Sequence, residues 1–163
     1  MRRKVILLVS IITLFTSCNQ NNEKKEYVNL AKNIETIART NNIEEGYTLM
    51  KNNCYACHNP NTKSHDDIIA PPFKAVKMHY TKEYDNKKDF VNAVVNWVQN
   101  PEEDKILMPG AVKRFKIMPE LPLKTEQLEK IAAYIYDNEV EQPDWMPAHM
   151  KEMQAKGMNM NNN

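Results

Sequence analysis

A chain of 163 residues, 42% hydrophobic and 26% charged, suits one domain plus extensions, with apolar material for one small core. Three glycines against ten methionines favour helices over sheet. The formal charge of +1 becomes −2 once residues 1–17 are set aside, since they hold Arg2, Arg3 and Lys4 and no acid; this balance excludes a strongly basic nucleic-acid binder.

The chain opens with a positive stretch, Met1-Arg2-Arg3-Lys4, followed by an apolar run from Val5 to Thr16. Twelve residues are too few to span a bilayer, which needs about 20. They fit the apolar region of a secretory signal. The run ends in Leu14-Phe15-Thr16-Ser17-Cys18. Small residues directly before a cysteine resemble the lipobox of bacterial lipoproteins, with Phe15 an unusual member. That resemblance implies a signal peptide over 1–17, diacylation at Cys18 and attachment to a bacterial membrane, most naturally facing the periplasm. An ordinary cleaved signal with Cys18 incidental and an uncleaved membrane anchor are the competing readings. All three place the mature chain outside the cytoplasm.

Residues 19–26 are polar and read as a tether. Tyr27, Leu30, Ala31, Ile34, Ile37 and Ala38 recur at three- and four-residue steps, predicting an amphipathic helix that Thr40-Asn41-Asn42 ends. A second helix is predicted from Ile43 to Asn53, running into Cys54-Tyr55-Ala56-Cys57-His58. Cys-x-x-Cys-His is the pattern that attaches a c-type haem. The two sulfurs would form thioethers with the haem vinyl groups, and His58 would bind iron through an imidazole nitrogen. Of the three cysteines, two are then used by haem and Cys18 by lipid.

Beyond the motif, residues 59–66 read as a loop and Ala70-Pro71-Pro72-Phe73 as an extended turn. Phe73 to Tyr80 is a short helical candidate. Asp85-Asn86 offers a cap for a helix over Lys87–Gln99 with Phe90, Val94, Trp97 and Val98 along one side. Residues 101–122 hold four prolines and read as irregular. Thr125 is the expected cap of a last helix, with Leu128, Ile131, Ala132 and Ile135 as its apolar stripe. From Pro143 to Asn163 the chain is Met-rich and reads as a flexible tail.

The ordered set of motifs from about Ile43 to Asn138 resembles the monohaem class I cytochromes c. It comprises Gly46 eight residues before Cys54, Leu49-Met50, Cys54-x-x-Cys57-His58, Ala70-Pro71, and Met118-Pro119 followed by the helix ending Ala132-Ala133-Tyr134-Ile135. Ala70 replaces the usual glycine and Met50 the commoner aromatic. The resemblance implies an all-α fold, a small helical globule around one covalently bound haem c per chain, over residues 43–142. Residues 18–42 would form a lipid-anchored tether and helix. It implies close approach of the first and last domain helices at Gly46, near Tyr134. It also implies a hydrogen bond from His58 to the carbonyl of Pro71.

For the sixth iron ligand two Met-Pro pairs compete, Met108-Pro109 and Met118-Pro119. The family places this ligand about seven residues before the last helix, which favours Met118 and keeps Met108 as the alternative. His65, His79 and His149 are the histidine alternatives, His65 reading as a solvated loop residue. Imidazole and thioether together saturate iron, and the soft thioether favours the ferrous state. That suits an electron carrier, not an enzyme, exchanging electrons with a terminal oxidase, a terminal reductase or a peroxidase. Lys113, Arg114 and Lys116 would steer an acidic partner, or simply face solvent.

Four rival readings stay open. Cys54, Cys57, His58 and His65 could be offered to zinc, although Cys57 and His58 are adjacent. A Cys-x-x-Cys thiol–disulfide oxidoreductase needs a preceding strand. A haem enzyme or gas sensor needs a labile sixth position, and the haem subunit of a larger oxidoreductase is a further alternative. Met146, His149, Met150, Met153, Met158 and Met160 offer soft donors for copper(I).

Overall fold

A computed structural model describes residues 20–156, and side chains from Tyr27 onward. The signal segment, Cys18, Met158 and Met160 lie outside the described residues. Six α-helices make up the described chain: α1 (Gln20–Cys54), α2 (Phe73–Glu83), α3 (Lys87–Gln99), α4 (Pro109–Phe115), α5 (Thr125–Asp137) and α6 (Met146–Ala155). Two 3-10 turns, His65–Asp67 and Glu103–Lys105, complete the secondary structure. No strand occurs among the described residues, and the fold is a small all-α one, as expected from the resemblance. Among the described residues no helix is long and apolar enough to cross a membrane.

The chain forms two compact units, Met1–Ile37 and Ala38–Asn163. The described part of the first is the opening of α1. Tyr27, Leu30, Ile34 and Ile37 lie exposed along it at the helical spacing read from the sequence. The expected break at Thr40-Asn41-Asn42 does not occur, because α1 continues to Cys54. The physical reason is the absence of Gly or Pro there. Asn and Thr lower helix propensity by tenths of a kcal/mol, whereas about 3 kcal/mol is needed from a proline to stop one.

In the second unit α3 and α5 pack together, and α2 packs on both. Phe90, Val94 and Val95 of α3 meet Leu128, Ile131, Ala132 and Ile135 of α5, with Phe73 and Tyr80 of α2 and Met50 of α1 completing the core. Phe90 lies edge-on to Tyr136 at 5.2 Å and to Tyr80 at 5.9 Å. Asn86 caps α3, its side-chain oxygen accepting from the N–H of Asp89 at 3.0 Å. Thr125 is not the cap of α5. The backbone N–H of Lys124 donates to the Gln127 side chain at 3.1 Å, and the Thr125 hydroxyl accepts instead from Gln99 at 3.0 Å. At the other end of α5, the Lys77 ammonium donates to the carbonyls of Tyr136 and Asn138 at 2.9 and 2.8 Å, where the helix dipole favours a cation.

Gly46 is buried where α1 meets α5. A Cβ at Gly46 would lie 2.5 Å from the Lys130 carbonyl oxygen and 2.9 Å from Tyr134 Cβ. Only glycine lets the two backbones come this close. Tyr47, one residue on, sets its ring against Tyr134 at 5.3 Å, tilted by 35°. The last turns of α1, which end in Cys54, are thereby fixed to the core.

Residues 101–122 are less irregular than their prolines predict. Pro109 opens α4, a position where the missing N–H costs nothing. The stretch from Pro143 is packed at its start: Pro143 and Met146 are buried, and α6 follows.

Candidate functional site

The helix end delivers the motif. The N–H groups of Cys57 and His58 both donate to the Cys54 carbonyl, at 3.1 and 2.9 Å, curling Cys54–His58 into a tight turn at the end of α1. Cys54 is half-buried and Cys57 exposed, and both are free thiols. Burial, with a smaller contribution from Cys57, pushes the Cys54 thiol up to about 11, so it is protonated at neutral pH.

His58 is oriented from two sides. Its Nδ1 lies 2.7 Å from the carbonyl oxygen of Pro71, which can only accept, so Nδ1 carries the proton and donates. Nε2 is then left with its lone pair, the form in which an imidazole binds a metal. Phe73 stacks on the ring at 4.6 Å. Burial holds the imidazole below its ordinary value against the opposing pull of the Pro71 bond, favouring the neutral form.

Cys54, Cys57 and His58 open onto a cleft that is open to solvent at its mouth. Its walls are mainly apolar. Pro71, Phe73, Val94, Trp97, Leu128, Ile131 and Ile135 contribute from the core side, and Leu107, Ala111, Phe115 and Ile117 from the loop around α4. Both Met108 and Met118 line it. Among the described residues that line the cleft, His58 is the one histidine. His65, His79 and His149 are not part of its wall.

His65 is not merely solvated. Arg114 donates to its carbonyl oxygen at 2.7 Å, and a second guanidinium nitrogen lies 2.6 Å from its ring Nε2. His149 stacks on its ring at 4.4 Å and Trp145 stands edge-on at 5.5 Å. On the other side of the motif, Glu141 accepts from the Tyr47 hydroxyl at 2.9 Å and the Tyr55 hydroxyl at 2.6 Å. These partners, and Phe73 against His58, escape a sequence reading. The pairs are separated by 15 to 94 residues and carry no local motif. A Tyr inside the motif and a Trp-x-x-x-His pair were the available signals.

Among the described residues no group of three or more His, Cys, Asp or Glu comes together to hold a metal ion, which disfavours the four-ligand zinc arrangement. The helix before Cys54, in place of a strand, disfavours the thiol–disulfide arrangement.

A cleft with two free thiols, an oriented imidazole and thioether side chains, set in an all-helical frame, defines a covalent haem-binding helical protein. The family model described as Cytochrome c matches residues 43–139, more than half of the chain, and the chain belongs to the cytochrome c family. Its cofactor is covalently attached haem c, and its work is haem-based electron transfer. No curated protein and no solved structure matches the chain. The residues present fit the group: Cys54 and Cys57 would hold it covalently, and His58 Nε2 is free for its iron.

Proposed function

We propose that this protein is a monohaem class I cytochrome c that carries electrons singly, with His58 and Met118 as axial ligands. One observation carries the reading: the two thiols, the lone pair of His58 and the thioether of Met118 share one apolar cleft. Haem c, when bound, supplies a one-electron ferric–ferrous couple. The chain does the rest. Cys54 and Cys57 tether the group. Pro71 and Phe73 fix the plane of the His58 ring, so the change of oxidation state meets little rearrangement. Leu128, Ile131 and Ile135 exclude water, and the soft thioether raises the reduction potential.

Cys18 anchors the exported chain to a bacterial membrane through lipid, and residues 20–37 lead from that anchor to the haem domain. The partner is a redox protein, a terminal oxidase, a terminal reductase or a peroxidase. Lys113 and Lys116 are exposed beside the cleft and support an acidic docking partner, whereas Arg114 is engaged by His65.

Both methionines line the cleft, which favours a second reading, a labile sixth position of the kind an enzyme or gas sensor uses. Spectra of Met118→Ala and Met108→Ala decide. The carrier reading expects loss of the weak near-infrared Met–iron band in Met118→Ala only, and no rapid carbon monoxide binding by the reduced wild type. Rapid binding would overturn it in favour of the open site.

A further inference from the structure

From Asn96 to Gln127 no residue is buried, and α4 contributes none to the core. Much of this stretch instead lines the cleft, and it carries Met118. We propose that Arg114, His65 and His149 form a latch that positions the Met118 segment against the loop following the haem motif. The proposal rests on Met118 being the sixth ligand. It makes Arg114 a positioning residue and gives the C-terminal helix, which lies beyond the family's span of 43–139, a role at the haem site.

The geometry is specific. Arg114 lies in the last turn of α4, four residues before Met118. One guanidinium nitrogen donates to the His65 carbonyl at 2.7 Å, and the other lies 2.6 Å from Nε2 and 2.9 Å from Nδ1 of the ring. A nitrogen this near to both ring nitrogens lies on neither lone-pair axis, so the anchoring hydrogen bond is the one to the His65 carbonyl, and the permanently charged guanidinium beside the ring disfavours a proton on it. His65 is neutral in the latch. The ring is backed by the imidazole of His149 at 4.4 Å, 20° from parallel, and by the edge of Trp145. Trp145 is tied in turn, its indole N–H donating to the Thr62 carbonyl at 3.1 Å. Thr62 and His65 belong to the loop that leaves His58. The chain is thus closed from the motif, through α6 and His65, to α4 and the segment after it.

Protonation weakens the latch, because an imidazolium at His65 sets a cation beside Arg114 and His149. The carboxylates that face this cluster are Asp66, 3.6 Å from His65 and 3.9 Å from Arg114, and Glu152, which lies close enough to His149 to feel its charge. Asp66 is almost fully exposed, so water screens most of its attraction. Burial, then Arg114 and His149, hold the His65 imidazole below its ordinary value.

The test is displacement of the thioether from the ferric holoprotein by imidazole at pH 8, read as loss of the near-infrared Met–iron band. Arg114→Gln should bind imidazole roughly tenfold more tightly, the size of one net charge-assisted hydrogen bond. His149→Ala should shift it the same way by less, and Lys113→Gln, which removes the same charge from the same helix, should leave it within about twofold. If Arg114→Gln loses haem, His149→Ala decides alone. Arg114→Gln and His149→Ala both behaving like Lys113→Gln would overturn the latch and leave the carrier reading standing. Loss of the band in Met108→Ala but not Met118→Ala would overturn the ligand assignment and the latch with it.

Discussion

The two segments that line the cleft are built on opposite plans. The motif side, from Met50 to Phe73, hangs from a long helix whose backbone touches α5 at Gly46, and it holds Met50 and Phe73 in the core. The methionine side, from Ile106 to Leu121, has no buried residue, one short helix and one non-glycine residue at positive φ, Lys116 at 72°. The motif side is fixed by packing within the helical core; the methionine side supplies one wall of the cleft and is tied to the loop after the motif through Arg114. On the proposed His58–Met118 ligation, the two ligands have different characters: His58 belongs to the fold, and the thioether belongs to a segment that can let go before the fold does.

Breaking the motif side should therefore cost the whole domain. Met50 is fully buried at 0% exposure four residues before Cys54. Met50→Ala should destabilise the holoprotein by about 2–5 kcal/mol, the range for emptying a core site of this size. Denaturant midpoints followed by helix content and by the haem band should fall together; a loss of the Met–iron band with unchanged global stability would contradict the comparison. Gly46→Ala comes next. Its new Cβ would meet backbone at 2.5 Å, which no rotamer change relieves, so about 1–3 kcal/mol is expected from forced separation of α1 and α5. Both helices carry core residues, so this loss too should appear in every probe at once.

Acid should act on the methionine side first. His65 has its folded value lowered, by burial first and then by Arg114 and His149, so the folded state disfavours the proton. The stabilisation is fully present above the ordinary histidine value of about 6.5 and is lost as pH falls below it toward the lowered one. The Met–iron band should weaken over that window while helix content holds. His65→Gln, which cannot gain the charge, should retain the band to lower pH. A band that fades at the same pH in both proteins would remove His65 from the account.

The same contrast explains what the sequence could and could not foretell. The stripe Leu128, Ile131, Ala132 and Ile135 was readable because a helix buried on one side must repeat its apolar residues at 3.6. The cap at Asn86 was readable because it answers a local hydrogen-bonding need, whereas the crossing at Gly46 came with the family resemblance. The contact of His58 with Pro71 came from ordered family motifs, not from periodicity. The helix break at Thr40–Asn42 was misread because weak propensities do not add up to a stop. The cap of α5 fell one residue off, since the Thr125 hydroxyl had a partner in Gln99, far off in sequence. The tie of Arg114 to His65 spans 49 residues and that of Trp145 to Thr62 spans 83, and nothing local marks either. Lys113, Arg114 and Lys116 read as one basic patch because sequence shows charge without showing which side chain is already engaged.

Lys116 offers the smallest effect and the sharpest separation of backbone from charge. At φ 72° and ψ 178° it occupies a region that nearly all residues but glycine avoid, while its N–H closes α4 on the Val112 carbonyl at 2.8 Å. Such a conformation costs about 1–3 kcal/mol, which the rest of the segment must offset. Lys116→Gly removes that cost but adds freedom to the unfolded and released states, a penalty of up to about 1 kcal/mol. The net should be a gain of up to about 2 kcal/mol in retention of the thioether, seen as weaker imidazole binding to the ferric protein. Lys116→Ala removes the same charge but keeps a Cβ, so it should show no gain. If alanine and glycine act alike, the lysine charge and not the backbone governs this position. If only glycine tightens the segment, then strain two residues before Met118 is what makes the methionine side the releasable one.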